Sequence, residues 1–194
     1  MNSEQFVQDA IRTESRPDSL VLNLGATLIM LEALVAAGNV GDTLKRGIYY
    51  GKGLNKDKLA EQLAILKAVV ETAQAALPRI ESPDQTPGLT APNLRLLHCS
   101  LGMFTESGEL LENIQKHIRG GTLDLVNFGE EIGDVDWYKA IGQDETGVSE
   151  EDTRKAVIDK LKLRYPGKFS SDAAHNRDLG AERASLEASL GEGA

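Results

Sequence analysis

The chain of 194 residues sets 21 Lys and Arg against 30 Asp and Glu, a net charge of −9. That balance argues against a general surface for polymeric nucleic acid or an anionic membrane, though a few cations still suffice for one phosphate-bearing ligand. A single cysteine, Cys99, allows neither an intramolecular disulfide nor a cysteine-rich zinc site. Its neighbour His98 would point about 100° away on a helix, so the two make a poor catalytic pair, and Cys99 reads as a small buried hydrophobe.

The N-terminus, Met1 to Ser15, is too polar for a signal peptide. Phe6 to Thr13 reads as a short amphipathic helix closed by Glu14-Ser15-Arg16-Pro17. Leu20 to Ala37 is the most apolar stretch. Asn23, Gly25, Thr27 and Glu32 interrupt it, so it is expected as a buried helix ending at Gly38 and not as a membrane span. A cytoplasmic protein without membrane contact follows. Asn55 to Leu77 places Leu59, Leu63, Leu66, Val70 and Ala73 on one helical face. Ser82 to Pro92, with three prolines and a glycine, is the clearest linker.

Beyond it, Leu94 to Ile118 reads as a helix stopped by Gly120-Gly121. Leu123 to Ile141 is a second helix with Asp124 near its start, and Glu150 to Arg164 a third, closed by Tyr165-Pro166-Gly167. The tail after about Gly180 continues a helix briefly and frays. No segment alternates as a strand does, which gives an all-α helical bundle.

Two stretches resemble each other. Leu44 to Leu63 and Ile114 to Ile132 both run helix, glycine-bearing turn, Leu-Asn or Leu-Asp, then helix, with one extra residue in the first turn.

The candidate chemistry lies on the helices after the linker. His98, Gly102, Glu106, Glu109, Asn113 and Lys116 recur at spacings of three and four, and so share a face. Asn127, Glu131, Asp134 and Tyr138 do the same on the next helix. Helices joined by a short turn tend to pack antiparallel, which would face Glu106 and Glu109 towards Glu131 and Asp134. Four such carboxylates repel one another unless a cation lies between them, and hard oxygen donors suit Mg²⁺ or Mn²⁺. Gly47-x3-Gly51-Lys52-Gly53 is no phosphate loop, since it lacks one spacer residue, the following Ser or Thr and a preceding strand.

Glu106-x-x-Glu109 followed by Glu131-x-x-Asp134 resembles the MazG-like motif of the all-α nucleoside triphosphate pyrophosphatases. So do His98-x3-Gly102 before it and Trp137-Tyr138, Lys160-Leu-x2-Arg164-Tyr165-Pro166 and Arg177-Asp178 after it, the ending being closest to phage-borne members. The resemblance implies hydrolysis of a (deoxy)nucleoside triphosphate to the monophosphate and pyrophosphate, by a homo-oligomer, a dimer. Glu106, Glu109, Glu131 and Asp134 would hold Mg²⁺, with Glu106 or Glu109 also taking the water's proton. Lys160 and Arg164, four apart on one helix, would clamp the phosphates with help from Lys116. Asn127, Tyr138 and His98 are candidates for reading the base or sugar.

Carrying the repeat onto these positions sets Glu106 against Ala36, Glu109 against Asn39, Glu131 against Gln62 and Asp134 against Ile65. The expected organisation is therefore a degenerate structural unit at 1–81, a linker at 82–93, a catalytic unit at 94–180 and a tail at 181–194. Leu28, Leu31, Leu34, Leu63, Leu66 and Val70 would give the first unit its core. Two rivals remain open on sequence: a non-catalytic helical module, and a metal-dependent hydrolase of another nucleotide phosphoanhydride.

Overall fold

A computed structural model of the chain describes residues 1–20, 22–51, 53–82 and 91–191. Among the described residues it is all-α, a helical bundle with no strand. Its helices are α1 (Ser3–Ile11), α2 (Leu24–Tyr49), α3 (Lys56–Ala76), α4 (Ala91–Ile118), α5 (Leu125–Thr146), α6 (Glu150–Arg164), α7 (Ser171–His175) and α8 (Leu179–Leu190), and one 3-10 turn, Leu77–Arg79, follows α3.

Local sequence explains where most helices begin. Asn2, Asn23, Asn55, Asp124, Ser170 and Asp178 each stand just before a helix, and each side-chain oxygen accepts a backbone N–H within the first turn. These caps satisfy donors that the helix itself leaves orphaned.

Two expectations are corrected. Gly38 does not end α2, which runs on through Gly41 to Tyr49. A glycine inside a helix costs only about 1 kcal/mol, too little to stop one whose hydrogen bonds continue on both sides. The tail does continue as a helix, α8, capped by Asp178 and tied down through the buried Glu182. The proposed core of the first repeat is also different: Leu28, Leu63 and Val70 are exposed, and alanines 26, 36, 73 and 76 are buried instead. Helices that meet along small residues approach closely and leave longer side chains at the flanks. The linker lies largely outside the described residues, and 91–93, its last three, already belong to α4.

By length and mean hydropathy, 1.6 over its most apolar window, α2 meets the measure of a membrane-crossing helix; in this fold it packs on α3.

The chain forms two compact units, neither continuous in sequence. One joins Met1–Ser19 to Leu89–Lys155, and the other joins Leu20–Gly88 to Ala156–Ala194, so the division falls inside α6. In the first unit α4 and α5 run antiparallel, and α1 packs on α5. Cys99 is buried there against Gly142, and loss of hydration raises its thiol pKa. In the second, α2 and α3 form the corresponding pair.

Candidate metal centre

The turn between α4 and α5 sets the site. Gly120 adopts φ 98°, a left-handed conformation open to glycine, and the Gly121 N–H returns to the Lys116 carbonyl at 3.0 Å. Asp124 then restarts the helix by accepting from the N–H groups of Val126 and Asn127. The reversal brings the polar faces of α4 and α5 together.

Glu106, Glu109 and Glu131 converge, with one carboxylate oxygen from each lying within 4.8 Å of the others. Their surroundings differ. Glu131 is buried, Glu106 is half-buried and Glu109 is exposed. Partial desolvation raises the pKa of Glu106, and the charges of Glu109 and Glu131 push the same way. Glu109 is raised chiefly by the Glu131 charge, with smaller contributions from Glu112 and Asp134. Asp134 is thus electrically part of the site while standing outside the three converging carboxylates.

An amide relay aims Glu131. Asn113, itself buried, donates through Nδ2 to the Asp124 carbonyl at 2.9 Å and to Asn127 Oδ1 at 3.1 Å. Asn127 Nδ2 donates in turn to Glu131 Oε1. This commits the Asn127 side chain, proposed from sequence to read base or sugar, to orienting a carboxylate. Asn113 was visible only as one more polar residue on the α4 stripe. Nothing in its spacing announces a second-helix partner. Thr105 Oγ1 lies 3.2 Å from Glu106 Oε1 and 2.9 Å from the Gly102 carbonyl, so its one proton serves a single acceptor at a time.

Gly102 gives Tyr138 its place. A Cβ at Gly102 would fall 2.0 Å from the Tyr138 ring, so the ring lies directly across the α4 backbone. Tyr138 then meets His98 edge-on at 5.4 Å and Trp137 at 4.8 Å. Burial and the charges of Glu106 and Asp134 raise its pKa.

The cations expected from sequence are placed differently. Lys116 pairs with Glu112 at 2.9 Å, on the exposed surface of α4. Lys160 and Arg164 belong to the other compact unit. The Arg164 fork is taken by Glu182, through Nε at 2.7 Å and Nη2 at 2.6 Å, so a phosphate role for it requires that pair to open.

The donor set fits a hard divalent cation. It is made of carboxylate oxygens, and one of them is held in place by an amide that adds no positive charge.

No protein-family model, no curated protein and no solved structure matches the chain.

Proposed function

We propose that the protein is a Mg²⁺-dependent hydrolase that cleaves a (deoxy)nucleoside triphosphate to the monophosphate and pyrophosphate. The observation that carries this reading is the convergence of Glu106, Glu109 and Glu131 from two helices, with Glu131 aimed by a buried amide relay. Surface carboxylates have no need of such support.

Glu106, Glu109 and Glu131 would hold the ion, with Asp134 adding charge at the edge. A bound divalent ion supplies charge neutralisation at the phosphate oxygens. Glu106 or Glu109 serves as the base: its carboxylate takes the proton of a water attacking the α-phosphorus, while the bond to the bridging oxygen breaks and pyrophosphate leaves. Phe104, Leu111 and Ile118, exposed at seven-residue spacing along α4, support the homodimer part of the reading. The cytoplasm, where nucleoside triphosphates are abundant, is the matching compartment.

The test is pyrophosphate release across all NTPs and dNTPs with Mg²⁺, run beside Glu109→Gln. Turnover should fall by roughly a thousandfold or more, since an interaction of several kcal/mol is removed and each 1.36 kcal/mol is tenfold in rate. Because Glu109 is exposed, the helical fold should persist by circular dichroism. Near-normal turnover in the variant would falsify the assignment.

A further inference from the structure

Beside the carboxylates, the first unit contains a cleft of about 520 Å³ between residues 15–18 and the first turns of α4. Its walls include Pro17, Leu94, Leu97 and Leu101, with His98 and Asp18 among the polar groups. We propose that this cleft receives the heterocyclic base of the nucleotide, an inference that rests on the reading above and names the part of the substrate each region binds.

The chemistry of the walls selects the base over the phosphates. The cleft is mainly apolar, and its volume lies within the range of small-molecule sites. Its two arginines are already engaged. Arg95 spans Glu14, Asp144 and Glu145 at 2.7–2.9 Å, and Arg16 pairs with Glu14 at 2.8 Å and Asp144 at 3.8 Å. A polyphosphate would meet no uncommitted guanidinium there. A flat, weakly polar ring would meet aliphatic surface, an imidazole, and the Asp18 carboxylate as an acceptor for ring N–H or amino groups.

The cleft is also built to hold its shape. The same Arg95 network pins the segment around Glu14 to α4 and α5, and the Glu14 side chain is fully buried. Burial would raise the Glu14 pKa, but the guanidiniums of Arg95 and Arg16 outweigh it and leave the carboxylate below its usual range. Trp137 Nε1 donates to Thr13 Oγ1 at 3.1 Å, a second tie to the same segment. Preorganised walls reduce the ordering that binding would otherwise require.

Position links the cleft to the carboxylates. His98, Gly102 and Glu106 share one face of α4, and eight residues of helix carry His98 about 12 Å from Glu106. Tyr138, laid across Gly102, touches the His98 ring and feels the Glu106 charge. A nucleotide along this face would have its base in the cleft, its sugar over Tyr138 and its phosphates at the glutamates.

Trp137, the chain's one tryptophan, lies 6.0 Å from His98 and reports on the cleft by fluorescence. Free nucleosides, titrated without metal, should change that signal saturably for at least one base. Leu97→Phe, which fills the cleft, and Asp18→Ala, an exposed change without folding risk, should each weaken nucleoside binding and raise KM for the matching triphosphate about tenfold. Inhibition of turnover by Mg²⁺-tripolyphosphate, which has no base, should be unchanged in both variants. If triphosphates are hydrolysed but no nucleoside alters the Trp137 signal and both variants keep wild-type KM, the cleft assignment is overturned while the catalytic reading stands. If a nucleoside binds and both variants weaken it, yet no triphosphate is cleaved, the base site is upheld and the catalytic reading falls.

Discussion

Two glutamates, one in each compact unit, are buried to the same 4% residual exposure, and their partners are opposite in kind. Glu182 is gripped by two guanidiniums, those of Arg164 and Arg177, which hold its pKa down at about 2. Glu131 receives a neutral amide and faces two further glutamates. The first arrangement is electrically closed and fastens α8. The second leaves negative charge in excess and raises the proton affinity of its neighbours. Burial alone therefore does not tell a structural carboxylate from a candidate metal ligand; the charge of the partner separates these two.

The two helix pairs repeat this contrast. Thr43 and Gln62 in α2 and α3 stand at the positions of Asn113 and Glu131 in α4 and α5. Thr43 Oγ1 and Gln62 Oε1 are buried without a protein hydrogen bond, whereas Asn113 and Asn127 form a closed relay. Both pairs keep the same turn logic, with positive-φ glycines and an Asx cap. The geometry of the hairpin persists in α2 and α3 without the wiring that aims a carboxylate.

The largest effect should come from the Glu182 clamp. A depressed carboxylate pKa contributes stability that is present above the unfolded value of 4.5 and lost as pH falls towards about 2. The shift corresponds to roughly 3 kcal/mol. Glu182→Gln should lower stability by that order at pH 7 and flatten the acid limb of a urea-denaturation series between pH 5 and 2. An unchanged acid limb would remove the distinction drawn between the two buried glutamates.

A middle-sized effect separates the helix pairs. Asn113→Ala strands Asn127 Oδ1, while the Asp124 carbonyl keeps the Phe128 N–H at 3.0 Å; it should cost about 1–3 kcal/mol and weaken Mn²⁺ binding by roughly 10–100-fold. Thr43→Val, which removes an unpaired hydroxyl and keeps the shape, should be neutral or slightly stabilising. Thermal denaturation and calorimetric Mn²⁺ titration read both, and a Thr43→Val loss equal to that of Asn113→Ala would erase the contrast.

The smallest effects compare helix glycines. At Gly38 a Cβ meets nothing within 4 Å, so Gly38→Ala should stabilise by roughly 0.5–1 kcal/mol. At Gly102 the same methyl strikes the Tyr138 ring, and Gly102→Ala should destabilise by about 1–3 kcal/mol. Equal responses in chemical denaturation would show that Tyr138 does not depend on Gly102.

The sequence by itself determined what short-range chemistry governs. The starts of α3 and α5, expected at Asn55 and Leu123, were legible to within a residue or two of the Asn55 and Asp124 caps, because a cap needs only its own first turn. α6 was legible to the residue, and the stripe of Glu106 and Glu109 needed only the helical period. Tertiary structure alone decided what depends on partners far along the chain. It chose which three carboxylates converge and left Asp134 at their edge. It turned Asn127 into a support for Glu131, filled the space at Gly102 with Tyr138, bound Arg164 to Glu182 and joined α1 to α5. The physical reason is the range of the interactions: caps and helical faces are fixed within a few residues, whereas the partner of a buried polar group is set only when separate helices pack.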